Sequence, residues 1–127
     1  MPGISVEIPW NRIQDLLCCA FEGGSNSWYK ITEFGEPANF EIRTDPGRIF
    51  RHMDYPVNDG GYLIIVCMNE DKPQTLYRLD RCTLEKGLHR FAKKYPKHFG
   101  DFVQENDDAI TGDVFLQTCL FGEIVYG

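Results

Sequence analysis

The sequence predicts an α+β domain. Apolar residues recur at helical spacing near both ends of the 127-residue chain, while the middle alternates between apolar and polar residues and is broken by turn signals. A short alternating piece comes first, with Val6 and Ile8 set against Ser5 and Glu7. Pro9 then suits a first helical turn, where a missing N–H costs little. Ile13, Leu16, Leu17, Ala20 and Phe21 form one stripe, which predicts an amphipathic helix stopped by Gly23-Gly24.

From about Trp28 to Asp80 the pattern reads as an antiparallel meander of four or five strands. Tyr29 and Ile31 alternate with Lys30 and Thr32, and Phe40 and Ile42 with Glu41 and Arg43. Glu36-Pro37, Asp45-Pro46-Gly47 and Glu70-Asp71-Lys72-Pro73 punctuate these segments. Asn58-Asp59-Gly60-Gly61 is the strongest hairpin signal, since Asp-Gly and Gly-Gly accept the positive φ of tight turns. The uninterrupted apolar run from Tyr62 to Met68 suits a central strand covered on both faces.

The last third predicts helices packed on one face of the sheet. Thr83 is a candidate N-cap for a helix carrying Leu84, Leu88, Phe91, Ala92 and Tyr95. Pro96 breaks it, and Phe99, Phe102 and Val103 continue in a shorter piece. A final helix over residues 109–121 is apolar on nearly every side, as helices in a core or a subunit interface are. That character makes a homo-oligomer an expectation. No repeat or linker divides the chain, so residues 1–127 read as one domain.

Composition narrows the functional classes. A net charge of −6 disfavours a nucleic-acid backbone as partner, because phosphates call for a basic patch. The longest apolar run is far too short to cross a bilayer, and MPGISVEIPW lacks the charged and apolar regions of a secretion signal. A cytoplasmic protein without membrane association is therefore expected. Five cysteines, none in a Cys-x-x-Cys pair, favour reduced thiols over a disulfide framework or a zinc knuckle. His52, His89 and His98 lack zinc-enzyme spacing, and no cofactor fingerprint occurs.

Three constellations remain as candidates. Glu22-Gly23-Gly24-Ser25-Asn26-Ser27-Trp28-Tyr29 combines glycines, small polar residues and adjacent aromatics. It reads either as a helix C-cap leading into a strand, or as a loop whose N–H groups and rings hold a planar polar ligand such as a nucleotide. Glu22, Ser25, Asn26, Trp28 and Tyr29 are its candidate ligand-binding residues. Asp113 and Gln117 lie four apart on the apolar final helix, so buried polar groups there must find partners, in a core network or a pocket. Glu105, Asp107 and Asp108 are candidate oxygen ligands for a divalent metal, with helix capping by Asp107 or Asp108 as the alternative. Lys86, Arg90, Lys93, Lys94, Lys97 and His98 form either a solvated helix face or a dock for an anionic partner.

The C-terminal stretch Glu105-Asn106-Asp107-Asp108-Ala109, Thr111 to Gln117 and Phe121-Gly122-Glu123-Ile124-Val125-Tyr126-Gly127 resembles a group of small proteins encoded by bacteriophages, prophages and other mobile elements. Ala20-Phe21-Glu22-Gly23-Gly24 followed by aromatics is similar too. The resemblance implies a bacterial host-cell setting and supplies no activity. With it, the expected function is a non-catalytic binding protein for a host protein or a nucleotide-like ligand. A metal-assisted enzyme acting on a nucleotide or other small molecule, and a structural or assembly protein, are the alternatives.

Overall fold

The computed structural model describes residues 8–24, 28–42, 51–68, 75–106 and 108–126. The expected strand piece at Val6, the turns at Asp45-Pro46-Gly47 and Glu70 to Pro73, and site candidates Ser25, Asn26 and Asp107 lie outside them. The fold is α+β. Helix α1 spans Trp10–Cys19 and continues as a π-helical turn over Ala20–Gly24, so Gly23-Gly24 end a widened last turn rather than terminating the α-helix at once. Ile13, Leu16, Leu17 and Ala20 are buried, as their spacing requires.

Strands β1 (Tyr29–Gly35), β2 (Tyr62–Cys67) and β3 (Tyr77–Leu79) form an antiparallel sheet in the order β1-β2-β3. The apolar run thus becomes the central strand, with Leu63, Ile65, Val66 and Cys67 all buried. The four or five strands expected reduce to three among the described residues. Phe40 and Ile42 do not build a strand, because the Asn58 side chain takes the place of a neighbouring one. It accepts from Ile42 N–H at 2.8 Å through Oδ1 and donates from Nδ2 to Ile42 C=O at 3.2 Å. Likewise, Asn58 to Gly61 turns the chain into β2 but does not join two strands; it follows a 3₁₀ turn at His52–Asp54. Glycine is needed here twice: Gly60 has φ +86°, and a Cβ on Gly61 would sit 2.1 Å from the Tyr55 carbonyl oxygen.

A buried polar network that the sequence did not suggest anchors this excursion to α1. Gln14 donates to the Asp54 carboxylate at 2.7 Å and to Ile42 C=O at 3.3 Å, while Asp54 also accepts from Arg51 N–H at 2.8 Å. Gln14, Asp54 and Asn58 are all buried, so each depends on these partners.

Helix α2 (Arg81–Lys94) is capped by Asp80 rather than by Thr83. Asp80 accepts from both the N–H and the hydroxyl of Thr83 at 3.0 Å, so Thr83 is the residue being capped. Pro96 opens helix α3 (Pro96–Val103). Helix α4 (Ala109–Phe121) starts at Asp108, whose carboxylate accepts from Thr111 N–H at 2.9 Å, and ends at Gly122 with φ +80°. α4 packs against α1, the π turn and α2. Those neighbours cover Val114 to Cys119, so its all-round apolar character is used within the chain, with Ile110 left 65% exposed.

The two caps carry a pH dependence. The bond from Thr111 N–H holds the Asp108 carboxyl below the ordinary carboxylate range. Burial pushes Asp80 the other way, but bonds from Thr83 and Arg78 outweigh it and hold this carboxyl low as well. A carboxyl lowered by folding stabilises above its unfolded pKa of about 4 and loses that contribution as pH falls through its folded value. Melting temperature is expected to hold between about pH 6 and 5 and to drop below about pH 4, the drop being shallower in the Asp80→Asn/Asp108→Asn double variant. Circular-dichroism melts across the acid range check it.

Candidate functional site

The structure brings four of the sequence candidates together. Trp28 precedes β1 and is only 4% exposed, with its indole Nε1–H donating to Asp113 at 2.9 Å. Asp113 faces it from α4, one turn before Gln117, whose Nε2 donates to the second Asp113 carboxylate oxygen at 2.9 Å. Tyr29 stands beside them; burial, then the charge of Asp113, push its hydroxyl up to about 12, so it stays protonated at neutral pH.

These residues close around a piece of main chain. After Gly122 the chain turns back, and Gln117 grips it with both ends of its amide. Oε1 accepts from Val125 N–H at 2.8 Å and from Tyr126 N–H at 2.7 Å, and Nε2 donates to Tyr126 C=O at 2.8 Å. Two donors and two acceptor positions are thereby filled, so Gln117, with 0% exposure, is satisfied in full. The Tyr126 ring stacks on Trp28 at 5.2 Å and 11°, and meets Phe121 at 5.9 Å. The Tyr95 hydroxyl accepts from Ile124 N–H at 2.9 Å. Trp28 also packs on Tyr29 and Phe121, at 5.2 and 5.5 Å.

Glu22 makes its bonds in a separate place. Its carboxylate accepts from Arg51 at 2.6 Å and from the Cys18 thiol at 3.3 Å. It borders an open cavity of about 330 Å³ shared with Phe21, Arg51, His52 and Met53. The ion pair is half-exposed on both sides and contributes little to stability. Burial and the Glu22 contact push the Cys18 thiol up to about 11, and burial raises Cys119 strongly, so neither is a ready thiolate. Glu105 lines another cavity, of about 310 Å³, with Arg12 and Phe102, and has φ +61°. Asp108 is occupied in capping α4. Among the described residues, no three His, Cys, Asp or Glu side chains are grouped to hold a metal ion. Lys86, Arg90, Lys93, Lys94 and Lys97 are exposed, while His98 is partly buried.

Sequence reasoning found Trp28, Tyr29, Asp113 and Gln117 but missed Tyr126, which stacks on Trp28 and is held by Gln117. The available signal was the need of a buried Gln for four hydrogen bonds. It did not say that main chain eight and nine residues further on would supply three of them. No helix among the described residues is long and apolar enough to cross a membrane. Comparison with protein-family models, curated proteins and solved structures gave no match.

Proposed function

We propose that this chain is a non-catalytic binding protein of a bacteriophage, prophage or other mobile element that engages a host protein in the bacterial cytoplasm. One observation carries the reading. The polar groups of Trp28, Asp113 and Gln117 are spent on one another and on a main-chain segment, which is the chemistry of peptide recognition rather than of a reactive cleft. A nucleotide-like ligand is less well supported, because the Trp28 ring is already packed by Tyr29, Phe121 and Tyr126. The raised thiols likewise favour binding over covalent chemistry.

Photo-crosslinkers placed singly at exposed positions 34, 93 and 125 and activated in the bacterial host test the reading. At least one position is expected to give a discrete adduct with another polypeptide. Thermal melts with a nucleotide panel, with and without Mg²⁺, are expected to superimpose. A nucleotide-dependent rise of several degrees, with no protein adduct from any position, would replace the reading with a small-ligand one.

A further inference from the structure

We propose that the basic stripe along α2 and the start of α3, with the exposed side chains of Ile124 and Val125 beside it, is a docking surface for a short acidic protein segment that carries aliphatic residues. This rests on the protein-binding reading above and names its contact surface. Lys86, Arg90, Lys93 and Lys94 stand at i, i+4, i+7 and i+8, so they share one side of α2, and all four are exposed. Lys97, also exposed, continues the run at the start of α3. Residues 122–124 pass alongside. A Cβ on Gly122 would lie 3.7 Å from Arg90 Nη1, and Ile124 N–H donates to the Tyr95 hydroxyl at 2.9 Å. Ile124 is 40% and Val125 56% exposed, so two aliphatic side chains border the charges.

A merely solvated helix face mixes signs, because opposite charges four apart support a helix and like charges there destabilise it. Here Lys86 with Arg90, Arg90 with Lys93 and Arg90 with Lys94 are all like pairs. Among the described residues no ion pair joins any of the five cations to a carboxylate, although Glu85 and Glu123 stand exposed at the border. The helix dipole accounts for Lys93 and Lys94, in the last turn of α2. It does not account for Lys86 or Arg90, and Lys97 sits at the positive end of α3, whose first turn holds no acid. This unrelieved charge stands on a chain of net −6, where the other residues carry eight Lys and Arg against nineteen Asp and Glu. What fits it must therefore be as local as the stripe. Lys86 to Lys94 covers about 12 Å of helix, and charges more than about 8 Å away are largely screened at physiological salt. A short acidic segment meets the stripe alone. A nucleic-acid strand or an anionic bilayer extends past it over the acidic remainder and is repelled there.

The test titrates the synthetic peptide Glu-Glu-Leu-Glu-Glu-Leu-Glu-Glu into the full chain and follows backbone amides by NMR. Saturable shifts are expected at residues 86–97 and 122–125. Affinity is expected to fall at least tenfold when salt rises from about 50 to about 300 mM, and at least threefold for the peptide with Ser in place of Leu. The Lys86→Glu/Lys93→Glu variant should bind at least tenfold more weakly while melting no lower than the parent, since both positions are exposed and each new carboxylate faces Arg90 at helical spacing. Amides left unmoved at millimolar peptide overturn the proposal, as does equal affinity in the charge-reversed variant. Tighter binding of single-stranded oligothymidylate or of phosphatidylserine vesicles at the same amides would assign the stripe to those polyanions and overturn the acidic-protein occupant. The titration uses the isolated chain, so its failure leaves a host adduct from position 34 standing. Peptide binding without any host adduct keeps the surface and withdraws the host-protein reading.

Discussion

Gly112→Ala is expected to destabilise the fold by about 2–4 kcal/mol, while Gly100→Ala, also in a helix, is expected to stabilise it by about 0.5–1 kcal/mol. Both substitutions add one methyl group and improve helix propensity by the same amount. The difference lies in what the methyl meets. At Gly112 an added Cβ would sit 2.6 Å from Ala20 N, 2.7 Å from Cys19 Cβ and 2.8 Å from Leu16 O. Two of these are main-chain atoms at the junction of α1 and the π turn, which cannot rotate aside. The helices must separate at a buried position of α4, and a core packed at crystal-like density transmits that shift. At Gly100 nothing lies within 4 Å, so only the reduced entropy of the unfolded chain remains, and it favours the fold. For a domain of this size each kcal/mol moves the melting temperature by about 3–5 °C, so the two variants should lie well apart in a thermal melt. A Gly112→Ala chain that melts with the parent would mean that α1 and α4 are not in contact there.

The same close approach explains what could and could not be read from sequence. α1, the central strand and α4 were legible because burial imposes a period on apolar residues, as at Ile13, Leu16, Leu17 and Ala20. The intimacy of α1 and α4 was not, because a glycine inside a helix carries no sign of what it faces. Phe40 and Ile42 alternate like a strand, yet their main chain is satisfied by the Asn58 side chain, and local pattern cannot tell the two partners apart. The helix start at Asp80 was missed by three residues since both Asp80 and Thr83 are good caps, and the apolar stripe begins only at Leu84. Gln14 and Asp54 are buried polar residues forty positions apart, and nothing in a single sequence pairs them. The candidate site divides in the same way. Asp113 and Gln117 were marked by polar chemistry on an apolar helix, but their use depended on where residues 124–126 return.

Gln117 offers the second large effect, and two substitutions separate its possible contributions. Gln117→Ala removes four hydrogen bonds and leaves a cavity in a fully buried position. A loss of about 3–4 kcal/mol is expected, since each bond contributes about 1 kcal/mol and an unpaired buried partner costs more. Gln117→Leu restores most of the volume without the amide. If packing alone held residues 124–126, the leucine variant would behave like the parent. The geometry says otherwise: three of the four bonds run to the main chain of Val125 and Tyr126, so leucine should release the segment almost as fully as alanine. Release uncovers Trp28, whose ring loses its stack with Tyr126. Both variants should therefore shift tryptophan emission to the red and speed amide hydrogen exchange at Val125 and Tyr126, with exchange in β2 rising only as far as global stability falls. Protection at 125 and 126 that survives in Gln117→Leu would mean that the Tyr126 ring, and not the amide, holds the segment. Slow exchange there in both variants would show that the clasp contributes nothing to holding the chain end in place.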